Sequence, residues 1–218
     1  MELHQIETYI DSPDPQNRMK AIVELRNYEP NLVVPLLKRR MYDREFVVRS
    51  FVAMGLGYKQ TEEGFGLLLD LIEYDRDYNV RAEAANSLAK YGEDAIPHLV
   101  KLFQQDSNWL VRYSIFAALD LRQHPEILLE FCTLGLNGSD LVVQETAIAS
   151  LEKLTNTPLE EKALELLIPA ATSDQGEIRA QVARVLRHFA DPRVEAILTN
   201  LRQDSDYRVV GATLERLI

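Results

Sequence analysis

Only one cysteine, Cys132, occurs in 218 residues, so a scaffold stapled by disulfides is excluded and a reducing compartment is implied. Glycine and proline number nine each, too few for a linker-rich or low-complexity chain. No apolar run approaches the ~18 residues that a membrane-spanning helix requires. The opening Met1-Glu2-Leu3-His4 lacks the basic stretch and apolar core of a secretory signal. Basic charge is also scarce: 24 Lys and Arg stand against 34 Asp and Glu, a formal net charge of −10. Such a chain does not offer the phosphate-neutralising surface that drives nucleic-acid binding. The four histidines, His4, His98, His124 and His188, have no Cys or His partner at metal spacing. Neither a Gly-rich phosphate loop nor a Gly-x-Ser-x-Gly nucleophile motif occurs. The expectation is a cytoplasmic protein without catalytic residues, metal or cofactor, not inserted in a membrane and not bound to nucleic acid.

What is present is a period. One slot recurs as Arg18, Arg49, Arg81, Arg112, Gln144, Arg179 and Val210, at intervals of 31 to 35 residues. Seven residues after each comes leucine: Leu25, Leu56, Leu88, Leu119, Leu151, Leu186 and Leu217. A single globular core does not need that regularity. A stack of near-identical helix pairs does, because one pair cannot bury its apolar face alone. The predicted fold is all-α, an α-solenoid of HEAT-like helix pairs: a lone half-repeat over Glu2 to Ile10, six pairs, and a terminal helix from about Tyr207. The period spans residues 1–218, so one domain is expected.

The third repeat shows the local logic. Asp77 can cap a helix that runs Val80, Ala84, Ala85 and Leu88 down one face, and Tyr91-Gly92 stops it. A second helix buries Ile96, Leu99, Val100 and Phe103. Asp191-Pro192 supplies another cap with a first-turn proline, and Thr157-Pro158-Leu159-Glu160 reads as a capping box. The longest interval, 35 residues, places its surplus around Thr155 to Pro158, where the superhelix is expected to change pitch.

The stretch from Asp77 to Leu88, Asp-Tyr-Asn-Val-Arg-Ala-Glu-Ala-Ala-Asn-Ser-Leu, resembles the HEAT-like repeat of the E/F-type phycobilin lyases and their relatives. Asp191-Pro192-Arg193-Val194 resembles that family's turn between helices, and Asp204-Ser205-Asp206 its exit turn. The resemblance covers essentially the whole chain. It implies that Arg18, Arg49, Arg81, Arg112 and Arg179 form a structural ladder to aspartates of adjoining repeats. Gln144 and Val210 depart from the pattern, so the ladder should be interrupted at the fifth repeat. Read from the residues, the same arginines could instead bind anions. The acids four to six positions upstream, such as Asp14, Asp43, Asp77, Asp106 and Asp174, favour the ladder.

Candidate contact residues come from the face of each second helix opposite its core stripe. With Ile96 at zero and 100° per residue, His98 and Lys101 point away from the core, with Gln105 nearby. Matching columns add Leu36, Leu67 and Glu130 beside His98, then Arg39, Asp70 and Thr133 beside Lys101, and Tyr74 beside Gln105. Apolar residues edged by charge are the anatomy of a partner groove; alternatively, curvature buries those leucines against the next pair. Phe46, Tyr78, Trp109 and Tyr207 share the slot three residues before the repeat arginine. Trp109 with Tyr113 could stack on a flat ligand such as a tetrapyrrole, or the row could simply pack helix starts. Cys132 falls in a core column, so an inert buried thiol is expected rather than a reactive one. Eight acidic and two basic residues lie between Asp140 and Glu177, while Lys38, Arg39, Arg40 and Arg44 form a basic knot.

The reading favoured is a non-catalytic scaffold that binds a protein partner in a concave groove. The resemblance places it in phycobilisome or photosynthetic-complex assembly, maturation or turnover, with a phycobiliprotein or an assembly factor as partner. It also implies an alternative, a lyase- or isomerase-like subunit that attaches or detaches an open-chain tetrapyrrole. A second alternative is an adaptor for an iron–sulfur carrier. The oligomeric state is left open.

Overall fold

The computed structural model describes residues 1–215, and every regular element among them is helical. Leu217, the last of the repeat leucines, lies outside the described residues. Packing gathers the chain into two units, Met1–Leu119 and Asp120–Ile218. In the first unit, α1 (Leu3–Ile10) is a single helix. Three pairs follow: α2 (Pro15–Glu24) with α3 (Pro30–Lys38), α4 (Phe46–Lys59) with α5 (Glu62–Tyr74), and α6 (Tyr78–Leu88) with α7 (Ile96–Gln105). The unit ends with α8 (Trp109–Ala118). The second unit holds α9 (Pro125–Leu136), α10 (Leu141–Leu151), α11 (Glu160–Ala170), α12 (Gly176–Leu186), α13 (Pro192–Leu201) and α14 (Tyr207–Leu214). A half-repeat, six helix pairs in chain order and a terminal helix are therefore present, as an α-solenoid requires.

Each unit is two helices deep. First helices lie on one another, α2 on α4, α4 on α6 and α6 on α8 in the first unit, α10 on α12 and α12 on α14 in the second. Second helices form the other layer, α3 on α5 and α5 on α7, with α9 on α11. The repeat leucines sit between the layers: Leu25, Leu56, Leu88, Leu151 and Leu186 are at most 1% exposed, each burial being worth about 1.5–3 kcal/mol. The residues beside the slot, Val48, Val80, Val111, Val143, Ile178 and Val209, are buried with them. Cys132 is fully buried on α9, and that burial pushes its thiol pKa far up.

Short polar side chains set the helix starts. Asp14, Asp77, Asn108, Asp140, Asp191 and Asp206 each accept a bond from a backbone N–H two or three residues on. The expected capping box at Thr157 is corrected: α11 begins only at Glu160, and Thr157 Oγ1 accepts from Leu159 N within the preceding turn. Glu160 instead reaches back to the amide of Asn156, which sits at φ 59°. The surplus residues of the longest interval are spent on that turn. Gly92, in the connection between α6 and α7, sits at φ 73°, a conformation that L side chains rarely adopt.

Candidate functional site: a charged cleft and the arginine rungs around it

The repeat slot has a double task. On one side it bonds the backbone carbonyl six residues upstream, tying the helix to the turn it came from: Arg18 to Ser12, Arg49 to Asp43, Arg81 to Asp75, Arg112 to Asp106, Gln144 to Gly138 and Arg179 to Ser173. On the other side it meets the aspartate of the next exit turn. Arg18 Nη2 donates to Asp43 Oδ1 at 2.8 Å. Arg49 Nε and Nη2 donate to the two oxygens of Asp75 at 2.6 and 2.9 Å. Arg81 Nε donates to Asp106 at 2.6 Å, and Arg179 grips Asp204 at 2.7 and 2.8 Å.

Of the acids upstream of each arginine, Asp43 and Asp106 do serve as rungs, but for the arginine of the preceding repeat. Asp14 and Asp77 are caps of α2 and α6, and the paired carboxylates lie 25 or 26 residues downstream. Arg112 bonds no carboxylate among the described residues; it donates to the carbonyls of Phe103 and Asp106 and lies over the Phe103 ring. Gly138 and Ser173 occupy the aspartate positions that would answer Arg112 and Gln144, so two successive rungs lack their acid, not the fifth alone.

A second set of cross-repeat ties, missed by sequence reasoning, uses an Asp-x-Arg signature at helix starts. Arg193 forks onto its own cap Asp191 and across to Glu161 at 2.7 Å; Arg208 joins its cap Asp206 to Glu177. Hydrogen bonds from these arginines hold Asp191 and Asp206 down to about 2, and the bond from Arg179 lowers Asp204. A depressed carboxylate stabilises the fold above its unfolded value of ~3.9 and loses that contribution as pH falls through the folded value. Melting temperature is expected to drop between about pH 4 and pH 2, and to drop less in the double variant Arg193→Gln, Arg208→Gln. Circular dichroism melts across that range check it; equal acid sensitivity in both proteins would count against these ties.

The cleft itself lies in the first unit, between α5 and α7, and has a volume of about 510 Å³. His98, Lys101 and Gln105 line it from α7, Leu69, Ile72 and Glu73 from α5, and the turn residues Asp75, Asp106 and Ser107 close one end. The Phe65 ring meets His98 edge-on at 5.6 Å and Tyr91 at 5.2 Å, fixing the imidazole at the cleft wall. Asp75 and Asp106 are consumed by Arg49 and Arg81. Lys101 is exposed and makes no ion pair among the described residues.

Three of the ten groove residues nominated by helical angle thus share this cleft: His98, Lys101 and Gln105. Asp70 and Tyr74 face a smaller hollow of about 240 Å³ with Met41, Tyr42 and Arg76. Leu36 and Leu67 are corrected: each is 8% exposed, buried rather than groove-lining. The angular argument treats a helix as having one covered side, whereas second helices also pack on one another. Arg39 is not a free rim charge either; with Arg40 it binds Asp11, and Lys38 binds Glu63 at 2.8 Å, so these three members of the basic knot are ion-paired. Glu130 and Thr133 stand on α9 in the second unit, where Thr133 bonds the Leu129 carbonyl. Trp109 and Tyr113 are 42% and 40% exposed on α8, and Phe46 and Tyr78 are similarly half-open.

Among the described residues, no group of three or more His, Cys, Asp or Glu is placed to hold a metal, and no helix is long and apolar enough to cross a membrane. The cleft offers cations, carboxylates and apolar walls.

Several known structures share this architecture. The E. coli protein YibA matches 97% of this chain and 80% of its own at 17% identity, with a TM-score of 0.69. The complex of CpcE and CpcF of phycocyanin lyase from Nostoc sp. PCC7120 matches 100% of this chain and 95% of its own at 19% identity, TM-score 0.56. An engineered protein matches 100% and 68% at 18% identity, TM-score 0.53. No curated protein sequence matches this one. The sequence profile of HEAT repeats matches residues 33–120 and 129–218. The chain belongs to the family of HEAT repeat proteins.

Proposed function

We propose that the protein is a non-catalytic scaffold that grips a protein partner through the α5–α7 cleft, in the assembly, maturation or turnover of a phycobilisome or another photosynthetic complex. The observation that carries the reading is the cleft wall: an exposed, unpaired Lys101 beside a braced His98, above the apolar side chains of Leu69, Ile72 and Leu102. Apolar walls supply contact area while unspent charge orients the partner. The photosynthetic setting is supported by the repeat resemblance and by the fold shared with the phycocyanin lyase subunits CpcE and CpcF.

A second reading, a subunit that holds an open-chain tetrapyrrole during its attachment or detachment, is favoured by the exposed Trp109 and Tyr113, which offer flat surfaces for stacking. Two experiments test these readings. Affinity capture from a cyanobacterial lysate is expected to retain a partner that Lys101→Glu loses, with circular dichroism and melting unchanged. Retention of every partner by Lys101→Glu and by His98→Ala would remove the cleft from consideration. Mixing the protein with phycocyanobilin and phycocyanin subunits is expected to leave the visible spectrum unaltered; a spectral shift abolished by Trp109→Ala would favour the tetrapyrrole reading.

A further inference from the structure

In the second unit the seat of one ladder arginine is only half filled. At four slots a guanidinium bonds the upstream carbonyl with one nitrogen and an aspartate with others. At the fifth, Gln144 Nε2 makes the first bond, to Gly138 O at 2.8 Å and to Leu136 O at 3.3 Å. The second half has no counterpart: Gln144 Oε1 is enclosed and has no hydrogen-bond partner, and Ser173 stands at the aspartate position. A buried carbonyl oxygen without a donor is a standing cost to the fold that a donor arriving there would relieve.

At that place a cleft of about 400 Å³ opens, lined by Gln144, Ser173, Asn137, Gln175 and Glu165 along with apolar side chains. Its charge differs from that of the corresponding α5–α7 cleft, which holds Arg81, His98 and Lys101. Here no cation lines the wall, and the one charged residue is Glu165, exposed and in no ion pair among the described residues. The surrounding segment from Asp140 to Glu177 is acidic.

We propose that this cleft is a socket for the guanidinium of an arginine carried by a basic segment of a partner protein. An arginine presents five N–H donors in a planar fork. The walls offer acceptors set apart from one another: the Glu165 carboxylate, the Ser173 hydroxyl, and the side-chain amide oxygens of Asn137 and Gln175. An ammonium is a point charge and meets fewer of them at once. The partner's arginine would restore the cation that the chain's own sequence omits at position 144, and the acidic surroundings would draw a basic segment in. The site is separate from the α5–α7 cleft, and neither proposal rests on the other.

The test uses the full chain, isotopically labelled, titrated at low salt with acetyl-Gly-Arg-Gly-amide and with its lysine counterpart while amide resonances are followed by nuclear magnetic resonance. The expected result is a shift of the Gln144 side-chain amide and of Ser173 and Gln175 with the arginine peptide, and weaker shifts with lysine. Gln144→Arg, which fills the seat from within, should weaken peptide binding about tenfold, or 1.4 kcal/mol. Glu165→Gln, an exposed change that leaves the fold intact, should weaken it about twofold to fivefold. Equal response to both peptides, shifts mapping elsewhere, no shift at all, or undiminished binding by both variants would each overturn the socket.

Discussion

Asp43→Ala is expected to destabilise the protein by about 3–5 kcal/mol, the cost of leaving a buried partner charge without its counter-ion. The Arg18 and Asp43 side chains are 4% and 2% exposed, and Arg18 Nε lies 2.7 Å from Asp43 Oδ2. Without the carboxylate, the guanidinium keeps only the carbonyls of Ser12 and Pro13, and the amide of Glu45 loses its acceptor too. For a chain of this length the melting temperature should fall by roughly 10 °C. The penalty belongs to a broken pair, so the double variant Arg18→Met, Asp43→Ala is expected to recover much of it. Asp120→Ala, which breaks the open Arg122–Asp120 pair with side chains 72% and 61% exposed, should shift the unfolding midpoint far less, because solvent screens an exposed pair. Urea unfolding of the three variants gives the comparison; equal losses for Asp43→Ala and Asp120→Ala would refute the burial argument.

The second large effect concerns a close approach between two first helices. A methyl group at Gly57 of α4 would lie 2.6 Å from the Ser87 Cβ and Oγ and 2.9 Å from its Cα on α6. Ser87 is fully buried, so its backbone has nowhere to retreat. Gly57→Ala is therefore expected to cost about 1–3 kcal/mol through overpacking, despite a gain in helix propensity of about 1 kcal/mol. Gly57→Val should cost more. Gly66→Ala on α5, where a new methyl meets nothing within 4 Å, isolates the propensity effect and is expected to stabilise by about 0.5–1 kcal/mol. If both alanine variants shifted the urea midpoint in the same direction, the contact between α4 and α6 would not be the limiting one.

The helix pairs were legible because period, caps and apolar stripe all point to the same elements. The leucine seven residues after each slot needs no partner to be recognised, since its burial follows from its own helix. The arginine partners were harder, since the nearby acids Asp14 and Asp77 are equally acidic but already serve as caps. A fixed offset of 25 or 26 residues from each arginine to Asp43, Asp75, Asp106 and Asp204 was in the sequence and would have found them. The cleft was legible only in part. Helical angle identified His98, Lys101 and Gln105, but it cannot tell which side of a second helix its neighbours cover, and so it left Leu36 and Leu67 in the open. Gln144 was visible as a departure; the missing acid at Ser173 was not, because it becomes meaningful only once the partner position is known.

The rungs also bear on how such a chain comes into being. Arg18 meets Asp43 after 25 further residues and Arg49 meets Asp75 after 26, so every seam of this kind is sealed by sequence-local material. Loops of that length close at small entropic cost, and chains dominated by local contacts fold fast. A ribosome releasing the protein would thus deliver Arg18, Arg49, Arg81 and Arg179 their counter-ions one helix pair later, and growth within a unit could proceed by accretion, each pair laid onto a finished edge.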